Sequence, residues 1–152
     1  MKTTVRQPAW QRLSRIRPTA GMLGALCDEN YGLLLRLAPQ LLSMRGDYCA
    51  RLPGQPPLLL QVERSGPFTR DLRLNYRFDM PHHEAALLDP EVLLRLYADT
   101  GQVEVLEVRR QHCLPLDGLY HSPGLQQKWR ANLFVGRWLS YCVSKEYNFT
   151  TP

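Results

Sequence analysis

Residues 70–79 read RDLRLNYRFD, and this stretch decides the fold. Large apolar side chains occupy every second position, and polar or charged side chains occupy the positions between them. The apolar set is Leu72, Leu74, Tyr76 and Phe78, and the polar set is Arg73, Asn75, Arg77 and Asp79. Successive side chains of a strand point to opposite faces, so a period of two predicts a strand with one buried face and one wet face.

The chain on both sides of this stretch keeps the period of a strand. Four further strands are predicted at residues 48–52, 58–65, 92–98 and 102–110. The last two are joined by Asp99, Thr100 and Gly101. A short connection that contains glycine is typical of an antiparallel hairpin.

Helices are predicted at both ends of this run of strands. Apolar residues recur every three or four positions over residues 23–42, and Pro39 predicts a break near Ala38 or a fresh short turn that begins at Pro39. A second helix is predicted to begin near Leu125. Its apolar stripe consists of Ala131, Phe134, Val135, Trp138, Leu139 and Cys142.

This order of elements predicts an α+β fold, in which an antiparallel sheet of about five strands carries the N-terminal and C-terminal helices on one face. The opposite face is expected to be open, because the polar positions of 70–79 have no apolar residue among them. We expect a basic, flexible arm over 1–18, a single domain over 19–147 and a tail over 148–152.

The net charge of +5 comes from the N-terminal arm. Five of the 19 basic residues precede Asp28, the first acidic residue, so 14 remain to match the 14 acidic residues. The arm is interpreted as a solvated terminus, or as a segment that contacts nucleic acid, anionic lipid or a partner. A domain that is neutral outside its arm lacks the basic surface of most nucleic-acid-binding domains.

Apolar runs and cysteine spacing predict the cellular location. No run of about 18 apolar residues and no secretory signal is present in the sequence, so we expect a cytoplasmic protein without a membrane span. The four cysteines contain no CxxC pair. This spacing favours reduced thiols over a disulfide framework.

Arginines form the candidate binding surface. The predicted surface consists of Arg64, Arg70, Arg73, Asn75, Arg77, Arg95 and Tyr97, together with Arg130 and Arg137 of the last helix. The planar fork of arginine makes paired, charge-assisted bonds with carboxylate and phosphate. The surface is interpreted either as an ordinary solvated face or as a binding site for an acidic protein or an anionic ligand.

Histidine and cysteine form the candidate metal site. The residues concerned are His82, His83, His112, Cys113 and His121. Their side chains are zinc-type donors, but their spacing matches no known zinc motif, and Cys113 beside His112 is a weak candidate nucleophile. Phosphate-binding loops of the GxxxxGK[ST] and GxGxxG types do not occur in the sequence. We expect no cofactor.

Three segments resemble a known family. They are CDENYGLLLRLAP at 27–39, EVLLRLYADTGQVEVLEV at 91–108 and LFVGRWLSYCVSKEY at 133–147. The chain resembles the YqiB-like proteins over about residues 26–147, most specifically at Asn30, Tyr31, Leu96, Tyr97, Trp138, Leu139, Tyr141 and Cys142. The resemblance implies a cytoplasmic protein of a Gram-negative bacterium with a domain of unknown function. It brings no activity, cofactor or catalytic residue.

The sequence favours a non-catalytic binding or adaptor domain, because such a role needs only contacts from the arginine-bearing face. A metal-dependent or hydrolytic enzyme that uses the histidine and cysteine loops is the first alternative. Nucleic-acid association through the arm is the second. The sequence leaves open whether the chain is an enzyme, and a homodimer is compatible with it.

Overall fold

The computed structural model of the chain describes residues 17–110 and 124–150. The elements in chain order are helix α1 (Ala20–Leu37), a 3-10 turn (Leu41–Ser43), strands β1 (Gly46–Ala50), β2 (Leu58–Arg64), β3 (Thr69–Phe78), β4 (Leu87–Tyr97) and β5 (Gln102–Arg109), and helix α2 (Leu125–Ser144). The strands form one antiparallel sheet in which each strand pairs with the next along the chain. The predicted α+β fold is confirmed.

The alternation in β3 places its apolar side chains against the two helices. Leu74 pairs with Leu60 of β2 and with Val92 of β4, and all three side chains are buried. They share one core with residues of both helices, among them Leu34, Leu37, Val135 and Leu139. Both helices therefore pack on this side of the sheet, and we call the opposite side the open face.

Strand β4 begins at Leu87, earlier than the predicted start at residue 92. Pro90 caused the error, because proline donates no hydrogen bond and usually marks the end of a strand. In the structure the pairing register between β3 and β4 shifts between Asn75 and Arg77, opposite Pro90. A bulge leaves a residue unpaired, so the strand continues through proline.

Helix α1 ends where Pro39 predicts its end. Its last residue is Leu37, and the backbone N–H of Ala38 closes the final turn on the carbonyl of Leu34 at 2.8 Å. Leu41 then starts the short 3-10 turn that leads into β1. The break is confirmed, and its cause is the steric and hydrogen-bonding restriction that proline imposes on the preceding turn.

The two helices approach closely at Gly136. A Cβ atom at Gly136 would lie 2.8 Å from the Oδ1 atom of Asn30. The Nδ2 group of the same Asn30 donates a hydrogen bond to the backbone carbonyl of Asn132 at 3.1 Å, and both asparagines are buried. Glycine at position 136 therefore makes room for a buried polar contact between α1 and α2.

Residues that follow α2 pack against the body of the protein. Phe149 is only 3% exposed, and its backbone N–H donates a hydrogen bond to the carbonyl of Leu37 at 2.7 Å. The hydroxyl of Tyr147 donates one to the carbonyl of Pro56 at 2.5 Å. Residues after α2 are thereby attached to the end of α1 and to the loop before β2.

Within the described residues, neither helix has the length and apolar character that a membrane span requires.

Candidate functional site

Five of the predicted binding residues share the open face, and Arg77, which follows the same alternation, is the fifth. Arg73 and Asn75 of β3 point to this side, since they alternate with the buried Leu72, Leu74 and Tyr76. Asp71 pairs with Arg95 in the register of β3 and β4, which places Arg95 and then Tyr97 on the same side. The structure brings these residues together on one side of the sheet.

Arg64 and Arg70 lie elsewhere. They pair with each other across β2 and β3, two residues beyond the buried pair of Val62 and Leu72, so they belong to the helix-facing side. The guanidinium of Arg70 donates to the backbone carbonyls of Thr69 and Leu42 at 3.0 and 3.2 Å. The alternation of side chains along the paired strands β2 and β3 places both arginines on this side. The sequence prediction overlooked this because it grouped all nearby arginines together.

Arg130 and Arg137 are also separated from the open face. Both are exposed on α2, which packs on the opposite side of the sheet. The predicted surface that joins these two residues to Arg73 and Arg77 is therefore divided by the sheet itself.

Carboxylates pair with the arginines of the open face. Arg95 makes two bonds to Asp71, at 2.8 and 3.4 Å, and these bonds raise the pKa of Arg95. Burial, followed by a 3.0 Å bond to Glu104, raises the pKa of the Tyr97 hydroxyl. Both residues are thus occupied by partners within the chain.

Glu91 lies beneath two arginines. Its side chain is 9% exposed, and its Oε1 atom is 3.4 Å from Arg73 and 3.7 Å from Arg109. Arg109 also contacts Glu107, a second buried carboxylate. Arg109 and both glutamates were missed in the sequence. Their ion pairs depend on the register between β3, β4 and β5, which the sequence does not specify.

One depression on the open face brings Arg73 and Arg77 together. It measures about 370 Å³, and its wall is formed by Asp47, Tyr48, Cys49, Leu59, Leu60, Gln61, Arg73, Asn75 and Arg77. The side chains of Arg73 and Arg77 are 46% and 50% exposed. Arg77 pairs only loosely with Asp79, at 3.2 Å, because that carboxylate is 84% exposed and well hydrated.

A second and larger cleft lies on the helix-facing side, and sequence reasoning missed it. It measures about 500 Å³ and lies between the end of the β3–β4 pair and α2, lined by Phe78, Met80, Leu87, Asp89, Pro90, Arg110, Phe134 and Trp138. These residues come from distant parts of the chain, so no local pattern joins them. The available signal is Phe78 and Met80 at a strand end, where apolar side chains remain exposed.

The predicted metal site is only partly within the described chain. His82 and His83 are exposed in the turn between β3 and β4, whereas His112, Cys113 and His121 lie outside the described residues. No three histidine, cysteine, aspartate or glutamate side chains of residues 17–110 and 124–150 are placed to hold a metal ion. The metal site and the basic arm, which is described only from Arg17 onward, stay predictions.

The described cysteines differ in their surroundings. Burial raises the pKa of the Cys142 thiol to about 11, and its sulfur lies 3.3 Å from the hydroxyl of Tyr76. Burial, and next the carboxylate of Glu104, raise the pKa of Cys27. Thiols with raised pKa values stay protonated at neutral pH, which is unfavourable for a nucleophile.

Comparison with known proteins identifies the family. Residues 33–148 match the family described as "Protein of unknown function (DUF1249)". No curated protein matches the chain, and neither does any solved structure. The matched region begins within α1 and ends after α2, so it covers the whole sheet and most of the helical layer. The chain therefore belongs to the DUF1249 family of proteins of unknown function.

Proposed function

We propose that the chain is a non-catalytic binding domain that engages an acidic segment of a partner protein through the open face. The observation that carries this proposal is the depression between Arg73 and Arg77, whose side chains are both about half exposed. Arginine in this setting presents several N–H donors to a carboxylate without first leaving a buried position.

The different ion pairs on the open face select these two arginines over their neighbours. Arg95 is held by two bonds to Asp71, so an incoming carboxylate would have to displace an existing one. Within the described residues, the side chain of Arg77 forms an ion pair with the exposed Asp79, and Arg73 has a contact of 3.4 Å to one oxygen of Glu91. Exchange of the exposed Asp79 for a carboxylate of a bound protein requires little free energy. Arg73 is half exposed, so its other N–H donors can bind a carboxylate while it keeps its contact with the buried Glu91.

The remaining wall of the depression fits a protein segment. Leu59, Cys49 and Gln61 border it alongside the arginines, so apolar and hydrogen-bonding contacts are available beside the charges. Charge complementarity orients the partner and speeds association, and the neighbouring contacts lengthen the lifetime of the complex.

We also propose that the protein is cytoplasmic and that it is related to the bacterial YqiB-like proteins, as the resemblance implies.

A charge-matched pair of variants tests this function. We expect a fluorescein-labelled decaglutamate peptide to bind the full chain at low salt, as measured by anisotropy, and Arg73→Glu with Arg77→Glu to weaken this binding by about tenfold or more. Arg64→Glu with Arg130→Glu changes the net charge by the same amount away from the open face. Both double variants keep the basic arm, so its contribution is equal in each.

Equal loss of peptide binding in the two double variants would contradict the proposal, because it would indicate attraction to net charge alone. Unchanged binding in Arg73→Glu with Arg77→Glu would contradict it as well. Circular dichroism of each variant establishes that the sheet is retained.

A further inference from the structure

The cleft on the helix-facing side has an apolar lining that reaches the surface. Phe78 at the end of β3 and Met80 after it remain 38% and 43% exposed, whereas the other large apolar side chains of β3 on this side are buried. Phe134 and Trp138 form the wall from α2, four residues apart on one helix face. Its volume of about 500 Å³ lies within the range of about 300–1,000 Å³ that is usual for small-molecule sites.

A cation lies at the rim of this apolar lining. The guanidinium carbon of Arg110 lies 4.3 Å from the centre of the Phe134 ring, so the aromatic face fixes the position of the charge. Burial, and next the positive charge of Arg110, lower the pKa of Arg137. Arg137 therefore lies near Arg110. Among the described residues, the charged side chains that line the cleft are Arg110 and Asp89. Arg110 therefore supplies a guanidinium beside the apolar lining.

The chemistry of the lining and of the rim defines a class of ligand. An apolar body gains free energy by covering Phe78, Met80 and Phe134, in proportion to the apolar area removed from water. An anionic head group gains charge-assisted hydrogen bonds from the donors of Arg110. A cationic head group of the same size would be repelled by Arg110.

We propose that the cleft binds a small molecule with an apolar body and one anionic head group, such as an alkyl carboxylate, with its head group at Arg110. This site lies on the opposite side of the sheet from Arg73 and Arg77 and is independent of the function proposed for the open face. Loss of one kind of binding therefore leaves the other unchanged.

Decanoate and decylammonium are the probes that test this site, since they share a chain length and differ in charge. Calorimetric titration of the full chain, below the concentration at which either probe forms micelles, is expected to give at least tenfold tighter binding of decanoate. Arg110→Gln is expected to lower the affinity for decanoate about tenfold, because a charge-assisted bond is lost. Met80→Ser is expected to weaken both probes, because the apolar lining is reduced.

Two variants serve as controls. Arg64→Gln removes an exposed arginine distant from the cleft, and Leu42→Ser removes an exposed apolar side chain in the turn before β1; neither is expected to change decanoate affinity. All four positions are exposed, so the variants are expected to fold, which circular dichroism checks.

Three results would overturn the proposal. Equal affinity for the two probes would show that charge does not select the ligand, and unchanged affinity in Arg110→Gln would show that the head group lies elsewhere. Decanoate binding that appears only after residues 112–122 are replaced by a glycine-serine linker would show that the chain's own segment occupies the cleft.

Discussion

Arg73 and Leu74 are neighbours in β3, yet they lie on opposite sides of the sheet and in different surroundings. Leu74 is buried between Leu60 and Val92 beneath the helices, whereas Arg73 is half exposed beside Glu91. One side of the sheet is stabilised by close apolar packing, and the other by ion pairs in contact with water. The comparison teaches that one strand can supply apolar packing to one face of a sheet and ion pairs to the other.

The largest expected effect is on the helix-facing side. Leu74→Ala removes a side chain that is 1% exposed and leaves a cavity, so we expect the free energy of unfolding to fall by about 3 kcal/mol. Arg73→Ala, one residue away on the open face, is the matched control and is expected to cost less than about 1 kcal/mol. Denaturant titration measures both, and equal costs would refute the contrast between the two faces.

A smaller effect is expected from pH, again on the helix-facing side. Burial raises the pKa of Cys142 from 9.0 to about 11 in the folded chain. Because the folded-state pKa is the higher one, the contribution of the thiol to stability is fully present below pH 9 and is lost as the pH rises toward 11. The linkage amounts to about 2 kcal/mol. Denaturant titration at pH 7, 9 and 11 measures it.

Cys142→Ala is the control for this pH dependence. The variant is expected to be less stable than the natural chain at neutral pH but to lose about 2 kcal/mol less between pH 9 and 11. A parallel decline in both chains would mean that Cys142 does not titrate differently in the folded and unfolded states.

The smallest effect is expected on the open face. Glu91→Gln removes the negative charge between Arg73 and Arg109 but keeps the size of the side chain, so we expect a loss of about 1 kcal/mol. Glu63→Gln, an exposed position on the same face, is expected to change stability by less than about 0.5 kcal/mol. Added salt should reduce the difference between them, and a loss as large as that of Leu74→Ala would show that ion pairs stabilise both faces alike.

The sequence predicted the elements whose signal is local. The alternation of 70–79 defines β3, and Pro39 defines the end of α1, because each signal lies within the element that it describes. The start of β4 was mispredicted because it depends on a neighbouring strand and not on a local signal. Pro90 is tolerated there through a bulge against β3, and the formation of that bulge depends on a neighbouring strand.

The candidate sites were less accessible to sequence reasoning. The grouping of Arg73 with Arg77 follows from alternation alone, but the pairing of Glu91 with two arginines follows from register. The cleft combines the end of β3, the residue after β5 and one face of α2, so it exists only in three dimensions. Gly136 carries no pattern at all, since its role depends on Asn30 of the other helix.

Helix α2 is translated after all five strands, although it supplies Val135, Trp138 and Leu139 to the core beneath them. During synthesis, the apolar side of the sheet therefore stays uncovered until this helix has left the ribosome. A nascent chain in that state exposes Leu60, Leu74 and Val92 to other newly made proteins. Because the core helix follows all five strands, we expect the unfinished chain to need chaperone protection, and its yield to fall when translation stalls before Leu125.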